Sequence, residues 1–121
     1  MALSADDIRR AFAALSEELE HGQRQAEMIV FGGAALVLLF RARESTKDVD
    51  AYFVTPEAST MRKAAEAVAA RLELPNDWLN DAAKGYVVEV TAGATLYESN
   101  ALTIRAASTS PVTGDEVGGL A

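Results

Sequence analysis

Ile8, Phe12, Leu15 and Leu19 recur at spacings of 4, 3 and 4, the stripe of one helix face. Ser4 followed by Asp7 gives this segment a capping-box start with Asp in place of Glu, and Gly22 marks its end. Residues 28–31 are apolar and partly β-branched and stop at Gly32-Gly33, which predicts a buried strand. Residues 34–43 show no polar face until their end and predict a buried helix, and Glu44-Ser45-Thr46-Lys47 reads as a polar turn. Residues 48–54 alternate charged and apolar side chains before turning aromatic, the pattern of a second strand. Thr55-Pro56 is an N-cap with Pro at the first helical position. Met61, Ala65, Val68 and Leu72 then repeat the 4, 3, 4 spacing, so a helix of about four turns ends before Pro75.

Beyond Pro75 the pattern is broken into short pieces. Residues 76–84 read as a short helical or irregular segment around Trp78, and residues 87–91 and 95–98 as strands. Ser99-Asn100 is a turn, and residues 102–106 form a further strand that closes a hairpin. From residue 109 the chain is small, polar and glycine-rich, which predicts one domain over residues 1–108 and a flexible tail over 109–121. The order of elements predicts an α/β (α+β) fold with a mixed sheet packed against helices. The pattern leaves open whether the first two long strands pair parallel or antiparallel.

Composition narrows the chemistry. The chain has 121 residues, no cysteine and one histidine, so thiolate sites are excluded and a zinc site is disfavoured. A formal net charge of -7 argues against an extended nucleic-acid footprint, although it allows a local basic pocket. The N-terminus lacks the basic and apolar regions of a signal peptide. The longest apolar run, residues 34–40, is too short to span a bilayer. The expectation is a cytoplasmic protein with no membrane partner.

Asp48 and Asp50 stand out because they sit one residue apart inside a hydrophobic segment, where a carboxylate is costly without a partner. On a strand their side chains share a face, with Val49 and Ala51 turned into the core. Two converging carboxylates make an oxygen-only site suited to Mg²⁺ or Mn²⁺, with phosphate oxygens completing the shell. Gly32 and Gly33 end one strand and open a helix, where backbone N–H groups can approach a phosphate. The structural alternatives are a tight turn for the glycines and solvated surface charge for the aspartates.

The string Phe31-Gly32-Gly33, a helix-length spacer and Asp48-Val49-Asp50-Ala51 resembles the signature of the nucleotidyltransferase (DNA polymerase β-like) superfamily. The strings "GGAAL", "REST-KDVD" and "DWLND" resemble, more narrowly, small bacterial nucleotidyltransferase-like proteins related to AbiEii-type toxins of toxin–antitoxin systems. The resemblance spans about residues 15–108. It implies that a nucleoside triphosphate binds through its phosphates at Gly32 and Gly33, that Asp48 and Asp50 hold one or two Mg²⁺ ions as the catalytic carboxylates, and that Ser45, Thr46 and Lys47, with Arg43, touch phosphate. The acceptor would be a hydroxyl on a protein, an RNA or a small molecule. The superfamily carries a third carboxylate on a later strand. Leu102-Thr103-Ile104-Arg105 has none, which leaves Glu89 and Glu98 as candidates. Helices that follow the last strand in the relatives are replaced here by "TSPVTGDEVGGLA". The alternative expectation is therefore a non-catalytic interaction module of toxin–antitoxin type, completed by a protein partner or by homo-oligomerisation, with an exposed apolar patch as its sign.

Other polar and aromatic residues have plainer readings. Trp78 is weighted toward the core over a stacking wall for a base. His21 fits the C-terminal end of the first helix. Glu17, Glu18 and Glu20 read as a solvated helix face, as do Asp6, Arg9 and Arg10. Arg41, Arg43 and Lys47 form a phosphate-facing patch or else ion pairs to Asp48 and Asp50.

Overall fold

A computed structural model describes residues 2–35, 37–38, 45–55, 58–81 and 92–107. A two-residue strand, β1 (Leu3–Ser4), leads into α1 (Ala5–His21). There follow β2 (Ala26–Phe31), the one-turn α2 (Gly32–Ala35), β3 (Ser45–Thr46), β4 (Val49–Thr55), α3 (Ala58–Leu72), β5 (Leu79–Asp81), β6 (Ala92–Glu98) and β7 (Leu102–Ala107). The five longer strands build one mixed sheet in the order β5-β4-β2-β7-β6, and β1 pairs with β3 apart from it. The α+β architecture expected from the pattern is the one observed. The question left open by the sequence resolves as antiparallel: β2 runs against β4, while β2–β7 and β4–β5 are parallel and β6–β7 form the expected hairpin.

α1 and α3 pack on each other and cover one face of the sheet. That face is built from Ala26, Met28 and Val30 of β2, Val49 and Ala51 of β4, and Leu102 and Ile104 of β7. At the intervening positions Glu27, Phe31, Asp50 and Tyr52 are only partly buried, while Ile29 among them is buried as well. Ile8, Phe12, Leu15 and Leu19, the stripe read from the sequence, are all buried. Ser16 is buried beside them because its hydroxyl meets that of Ser99 at 2.7 Å. Ser99 Oγ in turn accepts the backbone N–H groups of Ala101 and Leu102, so one hydroxyl pair ties α1 to the β6–β7 turn.

One expectation gains a partner and another is corrected. On the outer face of α1 the carboxylates of Glu17 and Glu18 accept from the guanidinium of Arg71, at 2.6 and 3.1 Å, and bridge α1 to α3. These exposed pairs contribute little in water and weaken with salt. Ser45 and Thr46 do not sit in a turn: they pair with Ser4 and Leu3 as a short antiparallel ladder. The remainder of the helix predicted at 34–43, the strand predicted at 87–91, Pro56 and the segment from 109 onward lie outside the described residues.

The helix ends show where local chemistry overrides composition. Gly22 does close α1, but with an ordinary φ of -83°; the left-handed residue is Gln23, at φ 56°. Arg24 N–H donates to Leu19 and Gln23 N–H to Glu20, a Schellman closure. α3 ends the same way, with Glu73 at φ 59° and Leu74 N–H donating to Ala69. A side chain in this region costs roughly 1–2 kcal/mol, partly offset in a glycine variant by a freer unfolded chain. Gln23→Gly and Glu73→Gly are each expected to stabilise the fold by about 0.5–1 kcal/mol, read from urea midpoints.

At the other end of α1, Ser4 Oγ accepts from Asp7 N–H and Asp7 Oδ2 accepts from Ser4 N–H, so the capping box read from the sequence is present with Asp at its third position. The Ser4 N–H holds the Asp7 carboxyl below its ordinary value. A depressed carboxyl stabilises above the unfolded pKa and loses that contribution as pH falls through the folded value. Asp7→Asn is therefore expected to cost about 1 kcal/mol at neutral pH, and the difference from wild type should shrink as pH falls through the depressed folded value. Urea unfolding at several pH values measures it.

Candidate functional site

The sheet brings the two sequence signals together. In the antiparallel pair, Phe31 at the end of β2 lies opposite Asp50 at the start of β4. Gly32 and Gly33 follow Phe31 directly, so the turn they make stands at the same sheet end as the carboxylate. The glycines open a helix, as the sequence suggested: they form the first turn of α2. Backbone N–H groups in a first helical turn have no intrahelical acceptor, and a glycine carries no Cβ to hold a ligand away. Ala34 and Val37, just beyond, are buried in the core and anchor this turn.

Asp48 precedes β4 and Asp50 lies within it, both half-buried, while Val49 and Ala51 are fully buried between and after them. The alternation expected for Asp-Val-Asp-Ala is thus the observed one. Thr46 is buried, and its hydroxyl donates to the backbone carbonyl of Asp48 at 3.2 Å. That bond commits Thr46 to shaping the bend into β4. Ser45 is partly buried and Lys47 exposed on either side of it. Arg41 and Arg43 lie outside the described residues. Among the described residues the ion pairs are Arg9 with Asp6 and Arg71 with Glu17 and Glu18, and neither Asp48 nor Asp50 takes part in one.

A third strand joins the site. The segment around Trp78 was expected to be helical or irregular, yet it turns into β5, which runs parallel to β4 with Asn80 beside Asp50 and Asp81 beside Ala51. Asn80 Nδ2 donates to Asp50 Oδ1 at 3.4 Å. Trp78 fixes this strand in place. It is fully buried, its indole N–H donates to the Ala65 carbonyl of α3 at 2.9 Å, and its own carbonyl accepts Val49 N–H at 2.7 Å. Trp78 is a core residue, and the stacking role weighed for it has no exposed ring face to use. Asn80 and Asp81 also border a cleft of about 290 Å³ between α3 and β5, which Arg62, Glu66, Asn76 and Asp77 line as well.

Sequence reasoning missed Asn80, because a three-residue strand is too short for periodicity to reveal. The signal available was the "DWLND" string itself, with a buried aromatic followed by Leu and two polar residues. The carboxylate candidates named from sequence fare differently. Glu98 shares a row with Thr103, Glu27 and Thr55, at the opposite end of the sheet from Asp50. Five residues along the strand and three strands across put it on the order of 20 Å away. Glu89 lies outside the described residues.

Among the described residues no group of three or more His, Cys, Asp or Glu side chains comes together as a metal site. Asp48 and Asp50, with the Asn80 amide nearby, supply oxygen donors alone. Such an incomplete oxygen set fits Mg²⁺ or Mn²⁺, which keep waters and take phosphate oxygens from a substrate, and does not fit Zn²⁺.

The model of a family described as "nucleotidyltransferase of unknown function" (DUF6036) matches residues 7–94, a span that includes Gly32, Gly33, Asp48, Asp50 and Asn80. No curated protein and no solved structure shows a match. No helix among the described residues is long and apolar enough to cross a membrane.

Thr46→Val removes the buried hydroxyl that holds Asp48 and leaves the Asp48 carbonyl short of a donor. It is expected to cost about 1 kcal/mol, whereas Lys47→Ala on the exposed neighbour stays within about 0.5 kcal/mol of wild type. Urea denaturation of the two variants side by side checks the contrast.

Proposed function

This chain belongs to that nucleotidyltransferase family, and from that premise we propose that it carries out Mg²⁺-dependent nucleotidyl transfer from a nucleoside triphosphate to a hydroxyl acceptor. The observation that carries the reading is the pairing of Phe31 with Asp50, which sets a glycine turn and a carboxylate pair at one sheet end. In the proposed site the N–H groups of Gly32 and Gly33 receive phosphate oxygens, and Ser45 and Lys47 flank them. Asp48 and Asp50 hold Mg²⁺ or Mn²⁺. When bound, such an ion neutralises charge on the triphosphate and on the departing pyrophosphate.

The transfer balances simply. The acceptor oxygen bonds to the α-phosphorus as the bond from that phosphorus to the bridging oxygen breaks. Pyrophosphate leaves and the acceptor proton passes to solvent. The residues of this chain contribute positioning: the buried Val49 and Ala51 hold both carboxylates on one face, and the Thr46 hydroxyl sets the backbone at Asp48.

The narrower likeness to AbiEii-related toxins rests on the quoted strings alone, and the acceptor hydroxyl is one on a protein, an RNA or a small molecule. The competing reading, a non-catalytic interaction module, expected Asp48 paired to an arginine and an exposed apolar patch. Among the described residues Asp48 has no such pair, and Val54 is the exposed large hydrophobic residue. Arg41 and Arg43 lie outside the described residues, so metal binding is the property that separates the two readings.

Calorimetric titration with a non-hydrolysable nucleoside triphosphate, with and without Mg²⁺, tests it. Wild type is expected to bind only with the metal, and Asp48→Ala/Asp50→Ala is expected to lose binding while remaining folded, because removing two neighbouring like charges does not expose the core. Metal-independent binding, or none by wild type, contradicts the proposal.

A further inference from the structure

We propose that Asn80 is a positioning residue for Asp50, a neutral amide that orients the metal-binding carboxylate from the neighbouring strand. The inference rests on the metal–nucleotide reading above and deepens it. Three observations converge on this side chain. The β4–β5 register sets Asn80 directly beside Asp50. The residues flanking both of them, Val49, Ala51 and Leu79, are buried in the core, so Asp50 and Asn80 share the opposite face of the sheet. The Asn80 amide N–H donates to Asp50 Oδ1.

The physical consequence follows from the carboxylate's two oxygens. A donor on Oδ1 restricts rotation of the carboxylate and leaves Oδ2 for another partner. Ligating carboxylates are held in this manner by outer partners, whose loss typically costs about 10–100-fold in metal affinity. The amide gives this support without charge. A third carboxylate at this point would stand one strand spacing, about 4.8 Å, from Asp50 and would add repulsion to an aspartate pair that already shares a face. The strand that presents Asn80 is rigidly placed, since Trp78 immediately before its first residue is locked to both Ala65 and Val49. Asn80, like Asp50, is only partly buried.

The test is Mn²⁺ binding followed by electron paramagnetic resonance, with and without a non-hydrolysable nucleoside triphosphate, on wild type, Asn80→Ala and Asn80→Asp, with thermal melts of each. Asn80→Ala is expected to bind Mn²⁺ about 10-fold more weakly or worse at an unchanged melting temperature. Asn80→Asp, which brings a further charged oxygen to the ion, is expected to bind Mn²⁺ alone more tightly than wild type. A merely structural side chain would give a lowered melting temperature and weaker binding in both variants. If the alanine variant melts early, Asn80→Ser, which keeps a small polar group, is expected to show the same loss of affinity. Wild-type binding that Asn80→Ala leaves unchanged overturns the role of Asn80 and leaves the metal site standing. Absence of binding by wild type overturns the metal–nucleotide reading itself, and this role with it.

Discussion

The antiparallel pairing of β2 with β4 is the constraint on which the rest of the molecule depends. A strand's side chains alternate with a strict period of two, so a slip of one residue would turn Asp50 into the core and Val49 out of it. Nothing in the sheet tolerates that exchange: Met28 and Val30 on β2 and Val49 and Ala51 on β4 are all fully buried against the helices. The hydrophobic core therefore fixes the register, and the register fixes the meeting of the glycine turn with Asp50. Stability and site geometry are one property here.

The remaining elements hold that pairing from both sides. On one side β5 is short, and its attachment relies on Trp78, whose ring fills the core while its N–H and carbonyl reach α3 and β4. On the other side β7 runs parallel to β2 and is fastened through Ser99 to Ser16 on α1. The polar groups kept in the interior are thus hydrogen-bonded, as a buried hydroxyl or indole must be to avoid a desolvation penalty. Asp48 and Asp50, which form no ion pair among the described residues, stand half-buried at one sheet end.

Much of this was legible in the sequence because it rests on long periodic patterns. The stripes of α1 and α3, the alternation through Asp48 and Asp50, and the hairpin before residue 107 are repeated signals that tertiary context reinforces. The failures fall where the pattern is short. Ser45 and Thr46 read as a polar turn because a two-residue ladder to Leu3 and Ser4 leaves no period to detect. β5 read as irregular for the same reason, which hid Asn80 from the candidate site. Gly22 pointed to the right helix end, yet the left-handed position fell to Gln23, since hydrogen-bond closure chose the residue over intrinsic preference. The partnership of Glu17 and Glu18 with Arg71 spans more than fifty residues of chain and has no local trace. The glycine–aspartate pair was readable as chemistry, but its geometry needed a strand direction that composition does not encode.

In the proposed metal–phosphate site, one sheet end unites Gly32, Gly33, Asp48 and Asp50. The most direct measurement is a crystal structure grown with Mn²⁺ and a non-hydrolysable nucleoside triphosphate, with anomalous scattering recorded at the manganese edge. The predicted result is an anomalous peak within coordination distance of both Asp48 and Asp50, with phosphate density against the backbone of Gly32 and Gly33. Manganese and phosphate bound elsewhere, or no peak between the two aspartates at saturating metal, would contradict it.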